Sequence, residues 1–493
     1  MIKDGILTAV LVVLTWLIAL DQFRVSRSLL RFEHLNDWMA LVGAGVFLLA
    51  VLQYFRERCS RKKGSAAELF RAIAPGAGLL ALFSFSGWFG SHPECLSVDL
   101  IKAYALLEDL RFYLCAFLAF FLFRSVRFED LPDVWKALTA LLVSAPAGII
   151  LVSSWIDFRY RKWPTQMWRF GLRSQQLFYG HPTNLAMACV FLMFLLLWLR
   201  ERFLAAEKGA QEGLLVRVSG YVMLSAAALL LVPMMLTLRI RVFGLLAGML
   251  ALFVWCVILK KQLKLWMIPL IGAGVLAIGW RRIVRHYFAP EVLNAARGAM
   301  LRASLDLCRT CFPLGAGFGN FGSRMAQHFY SPLYIYYGMT EIEGMTPAWP
   351  SYACDSFWAM VLGETGVLGT VSFLLLMVWL FQTINRRMKA GSAVYFSALS
   401  LLLYEAVETS ATLAFSEFNG YAFGLLLGLL FTGCGEALPA ASAGKKLKRA
   451  GKPRSDTGKP GDDAGKPGSD AGKPGEQSGR GKKSSSRRKK GKK

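Results

Sequence analysis

The sequence predicts an all-α integral membrane protein of about twelve transmembrane helices. Three observations predict it. Of the 493 residues, 55% are hydrophobic, where soluble domains use about 45–50%. The mean hydropathy is +0.42, and uncharged runs long enough to cross a ~30 Å hydrocarbon core recur along the chain. Basic residues gather in alternate loops, which marks those loops as cytoplasmic. A backbone inside a bilayer must satisfy its own hydrogen bonds, so the runs are helices.

The expected spans are 5–20, 38–55, 71–90, 111–127, 134–155, 183–200, 214–236, 241–259, 264–280, 356–383, 391–412 and 419–437. The third and last are the richest in Gly and Ser. Only Lys3 precedes the first run, and no small-residue cleavage site follows before Asp21, so it reads as a retained span rather than a signal peptide. The loops at 56–71 (RERCSRKKGSAAELFR), 199–217, 260–264 (KKQLK) and 385–389 (NRRMK) are basic, and those between them are acidic or mixed. This alternation closes with an even number of spans and both termini in the cytoplasm.

The chain divides into a membrane domain, 1–440, and a tail, 441–493. The tail repeats Gly-Lys-Pro at 451, 458, 465 and 472 and ends SSSRRKKGKK. From 440 onward the net charge is +13, about half of the chain's +25. With almost no apolar residue it cannot build a core. It reads either as a solvated topogenic tail or as a tether to anionic phospholipids, at ~1 kcal/mol per basic residue near the surface. Nucleic acid is not an expected partner.

Three outer segments break the charge rule. Segment 156–182 interleaves Arg159, Arg161, Lys162, Arg169 and Arg173 with Trp and Tyr. The turn LTLRIRVFG carries Arg239 and Arg241. The long segment 281–355 carries Arg282, Arg285, Arg297, Arg302 and Arg309. Arginine placed against the topology suggests an anionic partner, because its planar fork matches phosphate and stays charged. Interfacial anchoring is the competing explanation. The long segment is expected to hold an amphipathic helix, 291–310, with Leu293, Ala296, Met300, Leu301, Leu305 and Cys308 on one side. Pro313-Leu-Gly-Ala-Gly-Phe-Gly319 ends it. That run lacks the Lys-Ser/Thr of a phosphate-binding loop. Cys308 and Cys311 read as a disulfide, half a metal site, or neither.

Asp355 precedes span ten, where an N-cap is one reading. Glu364 lies inside that span. A buried carboxylate there costs at least ~2.5 kcal/mol, so it faces a partner or a wet cavity. Glu405 and Glu408 share a helical face and suit either pairing with outer arginines or a site role.

Four segments, FYGHPTNLA (178–186), LTLRIRVFGLLAG (236–248), RASLDLCRTCFPLGAGFGNF (302–321) and DSFWAMVLGETGVLG (355–369), together resemble the O-antigen ligases and polymerases. These are bacterial inner-membrane glycosyltransferases with a GT-C-like helical fold. The resemblance covers about 165–375 and includes a long periplasmic loop between spans nine and ten. It keeps the ligase spacing of Ser356, nine residues, then Gly366 and Gly369, but has Asp355 where the ligases have His. The usual Ser-Arg is absent, and the family's arginine falls on Arg239 or Arg241.

The resemblance implies transfer of a glycan from an undecaprenyl-diphosphate-linked donor to a glycan or lipid acceptor on the periplasmic face. Arg239, Arg241 and Arg302 would hold the diphosphate, and Asp355, with Arg302, would be catalytic. Arg169, Arg173, His181 and Glu364 complete the expected substrate contacts. No cofactor is implied. The histidines (His34, His92, His181, His286, His328) have no metal-ligand spacing, so arginines would do a metal's work. The competing reading is a transporter or flippase for a lipid-linked anionic glycan, which calls for inverted repeats that the sequence does not display. A scaffold acting through the tail is a third. Deleting 441–493 tests that one: glycan assembly is expected to survive, as read on a glycan gel.

Overall fold

A computed structural model describes residues 2–22, 35–59, 65–96, 98–124, 126–163, 168–169, 171–179, 181–206, 213–287, 296–410, 412–416 and 420–432. The basic tail, Leu293 and residues 433–437 of the last expected span lie outside the described residues. The chain divides into Met1–Leu438 and Pro439–Lys493.

The described chain is almost wholly helical. The long helices are α1 (Ile2–Gln22), α2 (Leu35–Cys59), α3 (Ser65–Phe89), α4 (Asp99–Phe123) and α5 (Asp133–Tyr160). A two-residue hairpin follows, β1 (Trp168–Arg169) with β2 (Leu172–Arg173). Then come α6 (Pro182–Ala206), α7 (Leu214–Leu229), short α8 (Leu231–Leu236), α9 (Ile240–Leu252) with its π-helical continuation Phe253–Ile258, and α10 (Met267–Tyr287). The long segment before the next membrane helix holds α11 (Ala296–Thr310), α12 (Arg324–His328) and α13 (Pro332–Tyr336). The chain continues as α14 (Phe357–Arg387), α15 (Ala393–Glu408) and α16 (Gly420–Thr432).

Within the described residues, each expected span overlaps helical chain, with 214–236 divided between α7 and α8. Among the described residues, six stretches are long and apolar enough to cross a membrane: Trp38–Arg56, Asp133–Tyr160, Pro182–Leu204, Leu214–Leu236, Ile240–Ile258 and Phe357–Arg387. Ile73–Phe89 and Gly420–Thr432 are apolar but shorter. Helix α6 is buried along most of its length and runs through the middle of the bundle. α16 packs on α4, α3 on α14, and α9 on α10 and α15.

Two expectations need correcting. Helix α4 starts at Asp99, well before 111. The sequence between is charged and fails an apolar criterion, yet Asp109 and Arg111 are buried. Asp109 accepts a hydrogen bond from the Ser416 hydroxyl at 2.6 Å, and Arg111 lies 3.9 Å from Glu108. Helix α11 buries Ala296, Met300 and Cys308 of its expected face, but that face is turned toward the alanines and away from Leu301 and Leu305. Its buried residues include Ala296, Ala299, Met300, Ala303, Leu307 and Cys308, while Leu305 is exposed. Small alanines let α11 pack against α14, so residue size misled the reading of the face.

The long segment is fastened at one break. Helix α14 departs from helical geometry at Gly366 (φ 56°, ψ −156°). A break frees backbone groups that must find partners elsewhere. The carbonyls of Gly363 and Glu364 accept the N–H groups of Ala316 and Gly317 at 2.7 and 2.9 Å. Leu368 N–H donates to the Pro313 carbonyl at 3.1 Å. From α3, the Ser86 hydroxyl donates to the Thr365 carbonyl, and the Gly87 carbonyl accepts Phe318 N–H at 2.8 Å. The glycine run and the Gly366 motif, separate in sequence, are therefore one backbone junction.

Gly315 and Gly366 both have positive φ, and a Cβ on either would sit 2.5–2.6 Å from the other's backbone nitrogen. Gly315→Ala and Gly366→Ala are each expected to lower stability by about 1–3 kcal/mol. Gly78, with open space around it, should accept Ala without loss. Thermal unfolding of the three purified variants in detergent checks this.

Candidate functional site

The first group of expected residues gathers at the turn between α8 and α9. Helix α8 ends there, leaving carbonyls without helical partners. Segment 169–175 supplies them. Gln175 N–H donates to the Leu236 carbonyl at 2.8 Å, the Ser174 hydroxyl to Thr237 at 2.7 Å, and Arg169 Nη1 to Leu238 at 3.0 Å. The hairpin is thus pinned to the turn, and Arg169 is one of the pins.

Arg173 Nη1 lies 3.5 Å from Oδ1 of buried Asp157. The same carboxylate oxygen accepts Trp163 N–H at 3.0 Å, so Asp157 holds both ends of the hairpin segment. Arg239 is the N-cap of α9, and its Nη2 lies 2.8 Å from Nε2 of His181. A guanidinium only donates, so that ring nitrogen accepts. Arg241 Nη1 donates to Glu408 Oε2 at 2.6 Å, a pair in which Glu408 is almost fully enclosed. Glu408 thus pairs with an arginine, one of its two expected roles.

The second group is at the start of α14. Ser356, not Asp355, is its N-cap. The Asp355 carboxylate instead accepts from Arg297 Nη2 at 2.9 Å, with side chains 34% and 27% exposed. A pair that open contributes only about 0.2–1 kcal/mol to stability, and the carboxylate remains reachable from solvent. Arg302, expected beside it, is exposed on α11. Five residues separate the two arginines, about 140° of helical rotation, so both cannot face α14.

Glu364, expected at the substrate, is 1% exposed. Its Oε1 accepts Phe321 N–H at 3.0 Å, with Ser323 and the Gly319 backbone also donating to it. Held on Oε1 by the glycine loop, it acts as a clamp on that loop. A small core closes the loop from beneath, built on Met300, Leu307, Phe321, Leu333, Tyr334 and Met345. The Tyr334 hydroxyl joins two strands of chain, accepting Gly322 N–H and donating to the Ala353 carbonyl, each at 3.0 Å.

The two groups share one end of the bundle. Glu408, which holds Arg241, ends α15. Phe415 follows shortly after, and its ring lies 5.7 Å from that of Phe357, two residues beyond Asp355. The arrangement offers guanidinium donors from Arg239 and the α11 arginines, and the accessible Asp355 carboxylate. That suits an anionic substrate whose reaction needs a proton acceptor. Among the described residues no cluster of three His, Cys, Asp or Glu could hold a metal ion.

Sequence reasoning missed Arg297 as the partner of Asp355. Its signal was the buried face of α11, readable only once the alanines are taken as the packing side. No family model, curated protein or solved structure matches the chain significantly.

Cys308 and Cys311 are free thiols near the end of α11. Burial pushes both thiols up from their ordinary range. The thiolate is the form that reacts, so a raised thiol holds less of it at neutral pH. Both are therefore expected to alkylate with iodoacetamide more slowly than an exposed cysteine at pH 7. Their rates should still be climbing above pH 9, as followed by peptide mass spectrometry.

Proposed function

We propose that the chain is a membrane glycosyltransferase of the O-antigen ligase and polymerase type. In this reading it has twelve spans in a GT-C-like arrangement, lies in a bacterial inner membrane and keeps both termini in the cytoplasm. It transfers a glycan from an undecaprenyl-diphosphate-linked donor to a hydroxyl of a glycan or lipid acceptor on the periplasmic face. The observation that carries the reading is the accessible Asp355 carboxylate held by Arg297, at the same end of an apolar bundle as Arg239 and Arg241.

The acceptor oxygen bonds to the anomeric carbon of the donor sugar. The bond from that carbon to the diphosphate oxygen breaks, and the diphosphate leaves with the electron pair. The acceptor's proton passes to Asp355. Arg297 orients that carboxylate. Arg239, steadied by His181, faces the growing charge on the diphosphate together with Arg302, and such stabilisation is commonly the largest catalytic contribution. Arg241, held by Glu408, keeps the turn that carries Arg239 in register.

One observation favours the transporter reading: α14 is broken at Gly366, and broken helices line transport sites. In transport sites the freed carbonyls face the cargo. Here the glycine loop takes them, which favours the enzyme.

Asp355→Asn and Arg297→Ala are expected to lower long-chain glycan in the native host by about 100-fold or more at normal protein level. Arg302→Ala should have the smaller effect of the three. In proteoliposomes the wild-type chain should release undecaprenyl diphosphate as glycan is transferred. Normal glycan in both strong variants, or donor movement across the bilayer with no diphosphate released, sinks the proposal.

A further inference from the structure

A second feature lies away from the arginine-rich end. An apolar cavity of about 380 Å³ opens between α2, α3, α4, α14 and α16. It exists because α3 presents small side chains there, Ala77 and Ala81 among them, while Trp379 lies flat against Gly76. Phe117, Phe120 and Phe431 form its other walls. An empty apolar space of that size forfeits dispersion contacts all round its lining. In a bilayer, hydrocarbon is at hand to fill it.

Its two ends differ. Tyr113 lines the cavity at the deep end, and its hydroxyl is buried without a partner among the described residues. Arg387 is at the other end. It is half-buried and, among the described residues, has no ion pair or hydrogen bond. Arg386 and Lys389 beside it are exposed, so the mouth carries concentrated positive charge and no neighbouring carboxylate in the stretch Asn385–Gly391.

Length limits the occupant. On α14 the lining runs from Leu376 to Arg387, a rise of about 16 Å at ~1.5 Å per residue. One leaflet of a ~30 Å hydrocarbon core is about 15 Å deep. The cavity therefore matches a chain confined to a single leaflet.

We propose that this cavity binds one acyl chain of an anionic phospholipid, with its phosphate on Arg387. The basic mouth is the end that the positive-inside rule assigns to the cytoplasm, so the lipid comes from the inner leaflet. The site is independent of the glycosyltransferase reading. It requires only that the bundle sits in a membrane. It also separates this lipid from a lipid-linked donor, which would meet the arginines at the opposite end.

The test uses the full chain, purified in neutral detergent and examined by native mass spectrometry. Phosphatidylglycerol and phosphatidylcholine of identical chains are added in turn. Wild-type protein should retain phosphatidylglycerol preferentially. Arg387→Gln should reduce that retention to the phosphatidylcholine level, and Ala77→Trp, which fills the cavity, should abolish it. Lys264→Gln, an exposed basic residue elsewhere, should retain it as wild type does. Equal retention of the two lipids by wild type overturns the proposal, as does unchanged retention in Arg387→Gln or an equal loss in Lys264→Gln. A second measurement needs no variant. Phosphatidylglycerol carrying a diazirine on its acyl chain should crosslink to α3 and α14 in wild-type protein, and adducts confined to α5 or α7 overturn the assignment.

Discussion

The break in α14 at Gly366 sets the architecture of the long segment and the end of the bundle that it joins. A membrane helix that leaves helical geometry exposes carbonyls with no water to receive them. Here the carbonyls of Gly363 and Glu364 are taken by the N–H groups of Ala316 and Gly317. Neither partner is complete without the other. The loop has no regular structure of its own at this point, and the helix has no partners for its freed groups. Once they meet, Glu364 can close on the loop from the helix side. A carboxyl group that would be unfavourable in an open span is tied through Oε1 to the Phe321 N–H.

The same logic operates at the turn between α8 and α9. Three consecutive carbonyls, 236 to 238, lack helical partners and are received by Gln175, Ser174 and Arg169. Irregular backbone is thus tolerated where a neighbouring segment satisfies it. Each junction also places side chains. The first delivers the segment from Gly319 to Asp355 to the start of α14, where Arg297 meets the carboxylate. The second sets Arg239 at the head of α9, against His181.

This divides the arginines by task. Arg169, Arg173 and Arg241 are engaged by a carbonyl, Asp157 and Glu408 respectively. Their positive charge mainly fastens the hairpin and the turn. Arg297 holds a carboxylate that remains open to solvent. Arginines read from sequence as either an anion site or interfacial anchors are, in three dimensions, largely a frame around the hairpin and the turn.

The sequence by itself determined the helices, because apolar length is a local property that the bilayer requires directly. It also picked out the arginine-rich segments and the two glycine motifs that meet in the fold. It did not show that those motifs are one junction, since Pro313–Gly319 and Gly366 are joined only by folding. It pointed to Arg302 where the structure brings Arg297, because five residues on a helix change the direction of a side chain and small alanines conceal the packing face. It left Glu364 facing either a partner or a wet cavity, because sequence cannot count the N–H groups a distant loop will bring. Early α4 was hidden for a related reason: Asp109 and Arg111 look unfit for burial until Ser416 and Glu108 are placed beside them. Local hydropathy fixes elements, whereas the direction of each charge depends on partners that only tertiary packing supplies.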